Sequence, residues 1–275
     1  MTTLLKTLGE MLSLERTGEA TFRGLSLEGG PPRIYGGQVV GQALVAANAT
    51  VEAKVCHSLH CYYVRGGDPA VALDFEVEKV RDGGSFATRR VTARQAGQEI
   101  FTMTASYQSP ETGLEHQGPM VDAPVLADIP DRPAAQQIGL MGALDVRSLD
   151  SPMFAPSASR KPTYQGWMRA RRPIGDDARM HQAVLAYASD FAVMTPAMRP
   201  HAVDWRAPGV QVASLDHTVW FHRQSDFNQW HLFTIESDWA GSGRGFVRGT
   251  LHLEDGTLVA SLAQEGLIRI RASKA

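Results

Sequence analysis

Two stretches of the chain show the same order of secondary-structure signals, and this repetition constrains the fold more than any other feature. In each stretch a long apolar segment of helical character precedes several segments in which apolar and polar residues alternate. The motifs around His60 and His217 lie 157 residues apart, and the turn glycines Gly97 and Gly256 lie 159 residues apart. We therefore predict an internal duplication, with helices over residues 38–48 and 181–194.

The alternating segments predict the kind of sheet that surrounds each helix. Asp255-Gly256 is typical of a two-residue type I′ hairpin turn, in which both central residues have positive φ. Consecutive hairpins form an antiparallel sheet, and a helix that is apolar on all sides has to be covered by it. The predicted fold class is α+β, with one helix wrapped by an antiparallel meander in each half.

A proline-rich stretch separates the two halves. Residues 109–162 hold eight of the fifteen prolines, which predicts an irregular segment with one short helix near residues 134–144. The predicted division is an N-terminal unit over residues 1–110, a linker over 111–160 and a C-terminal unit over 161–275. At the N-terminus, five apolar residues at helical spacing predict a short helix that docks on the protein rather than on a membrane, because Lys6 is nearly its only cation: Leu4, Leu5, Leu8, Met11 and Leu12.

Composition narrows the class of protein. The formal charge of −2 lacks the basic excess of a nucleic-acid binder, so no nucleic-acid partner is expected. Cys56 and Cys61 are too few for a disulfide framework and suit a reducing compartment. No run of 18 apolar residues and no secretory leader is visible, so we expect no membrane association. The predicted location is the cytoplasm.

Two polar residues interrupt apolar surroundings. Asp190 lies within the apolar segment 181–194, and Gln264 shares the apolar face of the last strand. A buried carboxylate needs a partner or a function, so Asp190 is either a structural ion-pair or capping residue or a catalytic one. Gln264 is either an ordinary amide bonded to backbone or part of the same site.

Two further patterns do not support a catalytic triad or a metal site. On a regular strand Ser214 and Asp216 face away from His217, and a nucleophile-elbow motif is absent, so a Ser-His-Asp hydrolase is not predicted. In the segment 56–61, simple alternation places Cys56 and His60 on one face and the other His and Cys on the opposite face. Neither face then supplies the ligands that zinc requires, and no metal is expected.

Gly36 and Gly37 precede the first predicted helix. Glycines allow another chain or a ligand to approach the backbone, and the first amides of a helix are unpaired donors at the positive end of its dipole. They either bind a carbonyl oxygen or permit close packing, and the sequence leaves both alternatives open.

Nine short motifs in order along nearly the whole chain resemble the acyl-CoA thioesterase II family of bacteria and its peroxisomal relatives of the choloyl-CoA hydrolase type. They lie outside the linker, at residues 22–24, 36–44, 57–60, 81–86, 187–190, 216–217, 220–223, 244–249 and 264–266. The resemblance implies a double hotdog fold and hydrolysis of medium- to long-chain acyl-CoA thioesters without metal or cofactor. Two hotdogs joined in one chain often leave surfaces for further assembly, so a homo-oligomer is expected.

The resemblance also assigns residues. It implies that Asp190, Ser214 and Gln264 hold the attacking water, with most of the catalytic residues in the C-terminal hotdog. Ser214 stands where many relatives carry Thr. On a regular strand it would face away from the site, so its role requires an irregularity in the strand. Substrate binding is expected at Gly36, Gly37 and His57.

Two other functions stay open. One is a hotdog enoyl-CoA hydratase or dehydratase, which would need His57 or His217 beside Asp190. The other is an acyl-CoA binding module without catalysis, because a fold does not by itself fix a function.

Overall fold

The strands form one continuous antiparallel sheet. The computed structural model describes residues 7–26, 32–129, 143–149, 161–205 and 207–271. The order of the described strands is β1-β2-β4-β5-β6-β3-β10-β13-β12-β11-β8-β7, and β9 also pairs with β13. Their bounds are β1 Glu15–Arg16, β2 Thr21–Gly24, β3 Val55–Tyr63, β4 Leu73–Asp82, β5 Phe86–Gln95, β6 Gln98–Gln108, β7 Leu144–Ser148, β8 Thr163–Ala170, β9 Val210–Ser214, β10 Asp216–Phe221, β11 His231–Gly241, β12 Arg244–Leu253 and β13 Leu258–Ile270.

The sheet has the same strand order in both halves. The series β2-β4-β5-β6-β3 in the first half corresponds to β8-β11-β12-β13-β10 in the second. The halves join where β3 pairs with β10, with Leu59 opposite Val219. Gly97 and Gly256 occupy corresponding turns, and both have positive φ. His60 is exposed whereas His217 is fully buried, so these two residues lie on opposite faces of the sheet and are not equivalent positions of the repeat.

The two long helices lie against each other inside the sheet. The described helices are α1 Leu8–Leu12, α2 Gly36–Asn48, α3 Ala178–Ser189 and α4 Thr195–Met198. The helices α2 and α3 are antiparallel, because Gly37 lies against the Tyr187 carbonyl oxygen and Gly41, further along α2, lies against the earlier Ala183 carbonyl oxygen. At one end of the pair, Arg179 donates to the carbonyl oxygens of Asn48 (2.8 Å) and Val51 (2.9 Å). This contact places a guanidinium at the negative end of the α2 dipole.

The predicted N-terminal helix docks on the protein. Thr7 and Glu10 form a capping box at the start of α1. Leu8, Met11 and Leu12 are buried in the main core, in agreement with the predicted apolar face. Leu4 and Leu5 lie outside the described residues. No helix of the described chain is long and apolar enough to cross a membrane.

The proline-rich stretch contains a strand that the sequence analysis missed. Residues 109–125 have no regular structure, and Leu126–Asp128 forms a single 3₁₀ turn. β7 then pairs with β8 at the end of the sheet. Its alternation of Leu144 and Val146 with polar neighbours was a usable signal. The predicted helix near residues 134–144 lies outside the described residues except at its end, where β7 begins.

The type I′ geometry predicted for Asp255-Gly256 is found at two other hairpin turns instead. Ala96-Gly97 and Ser242-Gly243 have positive φ at both central positions, as a type I′ turn requires. In Asp255-Gly256 only the glycine has positive φ, so the type I′ prediction for that pair is wrong. The side chain of Asp255 instead accepts a hydrogen bond from the Thr257 amide at 2.9 Å, which stabilises a different turn.

A bulge in β3 changes which side chains share a face. The register with β6 shifts between Cys56 and Ser58. As a result Cys56, Leu59 and Cys61 are all buried while His60 is exposed. The predicted common face of Cys56 and His60 is therefore wrong, because simple alternation does not pass through a bulge.

Candidate active site

Asp190 lies immediately after the end of α3 rather than within a helix. The structure ends this helix at Ser189, and Ala192 in the following turn has a φ of 55°. The predicted helix over 181–194 was too long because the turn is as buried as the helix, so apolar periodicity carried no signal for the end. The position brings Asp190, which is 7% exposed, to the start of α2.

Ser214 reaches Asp190 through a break between two strands. β9 ends at Ser214 and β10 begins at Asp216, and both pair with β13. At the break the Leu215 amide donates to the Glu265 carbonyl oxygen (3.0 Å), and the Glu265 amide donates to the Asp216 carboxylate (2.7 Å). The expected irregularity is therefore present. Ser214 Oγ donates to Asp190 Oδ1 at 3.0 Å.

Gln264 completes a directed chain of hydrogen bonds. It lies on β13 with only 1% of its surface exposed, and its Nε2 donates to Ser214 Oγ at 2.9 Å. Since an amide nitrogen can only donate, the Ser214 hydroxyl accepts a hydrogen bond from Gln264 and donates its own hydrogen bond to Asp190. Gln264 Oε1 has no hydrogen-bond partner within the described chain. The three residues that the family resemblance selected thus meet at one point.

The surroundings of Asp190 tune its proton affinity. Burial raises the pKa of Asp190 from its ordinary 3.8 to about 6, against the lowering effect of hydrogen bonds from Ser214, Gln264 and the Gly37 amide. The start of α2, a 13-residue helix, adds a positive dipole end at the carboxylate. At neutral pH the group is therefore mostly ionised yet basic enough to accept a proton from water.

The two glycines allow the helices to approach. A Cβ on Gly36 would lie 2.8 Å from Asp190 Oδ2, and a Cβ on Gly37 would overlap the Tyr187 carbonyl oxygen and the Tyr35 ring. Both glycines therefore permit close packing, of helix on helix rather than strand on helix, while binding of a carbonyl oxygen stays a prediction. The Gly37 amide lowers the pKa of the Asp190 carboxylate.

His57 lies apart from this group. It occupies the β3 bulge, its Nε2 contacts Ser106 Oγ at 2.8 Å, and its ring packs edge-on against Phe86. It lines a different cavity, together with residues of the 108–111 and 221–224 segments. The structure therefore does not bring His57 together with Asp190, Ser214 and Gln264.

A cavity of about 460 Å³ opens onto Asp190 and Ser214. Tyr35 and Tyr63, which the sequence analysis missed, form part of its wall. Burial and the nearby Asp190 raise the pKa of both phenols, so both stay protonated. The position of Tyr35 directly before Gly36 was a usable signal. The rest of the wall is largely apolar: Ile34, Val39, Ile100, Phe101, Val193, Met194 and Met198.

A pair of antiparallel helices wrapped by one antiparallel sheet, with a buried carboxylate where the helix ends meet, defines a tandem hotdog protein. A hotdog-fold protein from Alicyclobacillus acidocaldarius superposes with a TM-score of 0.78 over 98% of this chain and 100% of its own, at 21% identity. An acyl-CoA thioesterase II from Mycobacterium marinum superposes with a TM-score of 0.84 at 39% identity, over 97% of this chain and 99% of its own.

Sequence comparisons show the family. The profile described as "Acyl-CoA thioesterase" matches residues 157–267, and the profile described as "Acyl-CoA thioesterase N-terminal domain" matches residues 28–108. Human acyl-coenzyme A thioesterase 8 is 37% identical over 95% of this chain and 88% of its own length. Acyl-CoA thioesterase 2 of Haemophilus influenzae is 35% identical over 98% and 99%, respectively. The chain belongs to the acyl-CoA thioesterase family, which confirms the resemblance and the double hotdog fold.

Proposed function

We propose that the protein hydrolyses acyl-CoA thioesters to a free fatty acid and CoA, with a water molecule activated by Asp190. The observation that carries the proposal is the directed chain from Gln264 through Ser214 to the Asp190 carboxylate at the wall of an apolar cavity. This chain of hydrogen bonds holds Asp190, whose pKa suits a general base, at the place where the thioester carbonyl would enter the cavity.

The reaction balances without an acyl-enzyme. Asp190 takes a proton from water as its oxygen attacks the thioester carbonyl, and Ser214 and Gln264 fix the position of that water. When the tetrahedral intermediate collapses, the C–S bond breaks, and the proton held by Asp190 neutralises the departing thiolate. Gly36, at the first turn of α2, is our candidate donor to the oxyanion.

The cavity supports a medium- to long-chain substrate. Its wall carries the methionine, valine, isoleucine and phenylalanine side chains that would pack along an alkyl chain. We propose that the acyl chain lies between α2 and the 193–198 segment. A cytoplasmic location, a homo-oligomeric state and the division into units 1–110, 111–160 and 161–275 stay predictions.

The hydratase alternative lacks its second catalytic group at this cavity. Hotdog hydration of a double bond would need a histidine beside Asp190, and no described residue of the cavity wall is a histidine. His217 is buried behind the site, where it contacts Ser189 Oγ at 2.7 Å. Burial lowers its pKa to about 4. The geometry therefore favours hydrolysis.

The test follows release of the CoA thiol from acyl-CoAs of increasing chain length, with crotonyl-CoA hydration measured in parallel. We expect thiol release by the parent protein and a loss of about 100-fold or more in kcat for Asp190→Asn. Asp74→Asn, a control on an exposed β4 carboxylate paired with Arg23, should keep full activity. Acyl-CoA binding without release, or full activity of Asp190→Asn, would overturn the proposal.

A further inference from the structure

A second cavity continues outward from the one that holds Asp190. It measures about 500 Å³ and shares Arg33, Trp205 and Val212 with the first. Its remaining wall runs from Gly209 to Gln211 and ends at Arg271. A molecule in the apolar inner cavity that extends past its mouth would enter this outer cavity.

The outer cavity and the mouth carry positive charge. Arg33 and Arg65 line the mouth, and Arg33 and Arg271 line the outer cavity. All three are exposed, and none forms an ion pair with a carboxylate of the described chain. Among the described wall residues of both cavities, the buried Asp190 is the only carboxylate. A chain of net charge −2 thus concentrates unneutralised cations at the entrance to its site.

The arginines are held in different ways. Arg33 lies over Gly66, where a Cβ would come within 3.3 Å of its Cδ. Arg65 donates to the Glu99 carbonyl oxygen at 2.6 Å. Arg271 makes one long hydrogen bond to Gln211 Oε1, at 3.3 Å. Arg33 and Arg271 therefore keep most of their donors available, and a guanidinium binds phosphate with two parallel hydrogen bonds.

We infer that the outer cavity is the subsite for the phosphorylated adenosine end of the thioester substrate, with Arg33 and Arg271 pairing with its phosphates and Trp205 packing against its base. This inference rests on the proposed function, because the apolar inner cavity must take the acyl chain. Trp205, 39% exposed, presents an aromatic surface at the junction of the two cavities. Aromatic side chains stack on nucleobases without regard to sequence.

The test compares two thioesters that share one acyl chain. One is the acyl-CoA, and the other is the N-acetylcysteamine thioester, which lacks phosphates and base. For Arg33→Ala and Arg271→Ala we expect KM for the acyl-CoA to rise about tenfold each, the loss expected of one charged hydrogen-bonding group. The kcat, and kcat/KM for the N-acetylcysteamine thioester, should stay unchanged. Arg90→Ala, a control that removes an exposed β5 arginine paired with Glu78, should change neither substrate.

The possible results distinguish a failure of the proposed subsite from a failure of the proposed function. Equal losses on both substrates, or no loss on either, would overturn the subsite. Calorimetric titration with adenosine 3′,5′-bisphosphate tests binding even if the parent hydrolyses nothing, in which case only the proposed function fails. Binding that weakens in Arg33→Ala and Arg271→Ala supports the subsite, whereas equal binding by parent and variants overturns it.

Discussion

A Cβ on Gly36 would lie 2.8 Å from Asp190 Oδ2, so the first turn of α2 lies directly against the residue that follows α3. This contact requires the two helices to touch at backbone distance, and Gly37 has space for no side chain. The glycine pair therefore brings α2 against Asp190 by close packing, and the effect of that packing can be tested.

Gly37→Ala should damage both the fold and the reaction. Its Cβ would overlap the Tyr187 carbonyl oxygen and push α2 away from Asp190. We expect a loss of about 1–3 kcal/mol of unfolding free energy from overpacking and a fall of tenfold or more in kcat from displaced groups. Thermal unfolding and thiol release measure the two effects. Gly84→Ala, where nothing lies within 4 Å of the new Cβ, should change neither; equal behaviour of the variants would contradict this reading.

The rate should depend on pH through Asp190. Its pKa is raised by burial to about 6, and only the ionised form can act as the base. We expect kcat/KM to be level above pH 7 and to fall about tenfold per pH unit below 6. Burial lowers the pKa of His217 to about 4, so it stays neutral over this range. A profile that stays flat down to pH 5 would exclude Asp190 as the base.

The same pKa shift makes the ionised Asp190 costly for stability. The folded state binds this proton more tightly than the unfolded chain, so the contribution of Asp190 is most favourable below pH 3.8 and is lost as pH rises through 6. The shift corresponds to a cost of up to about 3 kcal/mol at pH 8. Asp190→Asn should therefore unfold at a higher temperature than the parent at pH 8, with a smaller gain at pH 5. A lower unfolding temperature at pH 8 would refute this.

Ser214 can be tested by two replacements. Ser214→Ala removes a hydrogen bond that lowers the pKa of Asp190 and leaves the Gln264 amide without its acceptor. We expect a loss of about 10- to 100-fold in kcat and a shift of the acidic limb to higher pH. Ser214→Thr keeps the hydroxyl and restricts χ1, so its kcat and its limb should match the parent. An unshifted limb in Ser214→Ala would show that the hydroxyl does not act on Asp190.

The hairpin turn between β5 and β6 offers a prediction that is independent of activity. Ala96 has a φ of 48°, a conformation that costs an ordinary residue energy and that Asn tolerates. Ala96→Asn should raise the unfolding free energy by about 0.5–1 kcal/mol in denaturant titration. Gly97→Ala, at a φ of 79°, should lower it. The prediction fails if both changes have the same sign.

Much of the fold followed from periodicity and repetition. The alternating segments predicted the antiparallel sheet of each half, and the repeat predicted the two helix-and-sheet units. Asp190 and Gln264 stood out because each is polar in apolar surroundings. That Ser214 belongs with Asp190 and Gln264, by contrast, was predicted only from the family resemblance.

Three features depend on tertiary contacts, which the alternation of apolar and polar residues along a strand does not predict. The break between Ser214 and Asp216 is stabilised by Glu265 on another strand, and the end of α3 lies in a turn as buried as the helix. The bulge at residues 56–58 reverses the faces that simple alternation assigns. In each case a partner distant in sequence decides the local backbone.

The contact between Arg179 and Asn48 bears on stoichiometry. At the second end of the antiparallel helix pair, the Arg179 guanidinium spans the carbonyl oxygens of Asn48, Val51 and Lys54. Among the residues that the structure describes, Asp190 is the only buried carboxylate. Under the proposed mechanism the two repeats therefore share one general base, and we expect a tight-binding thioester analogue to titrate the protein at one molecule per chain.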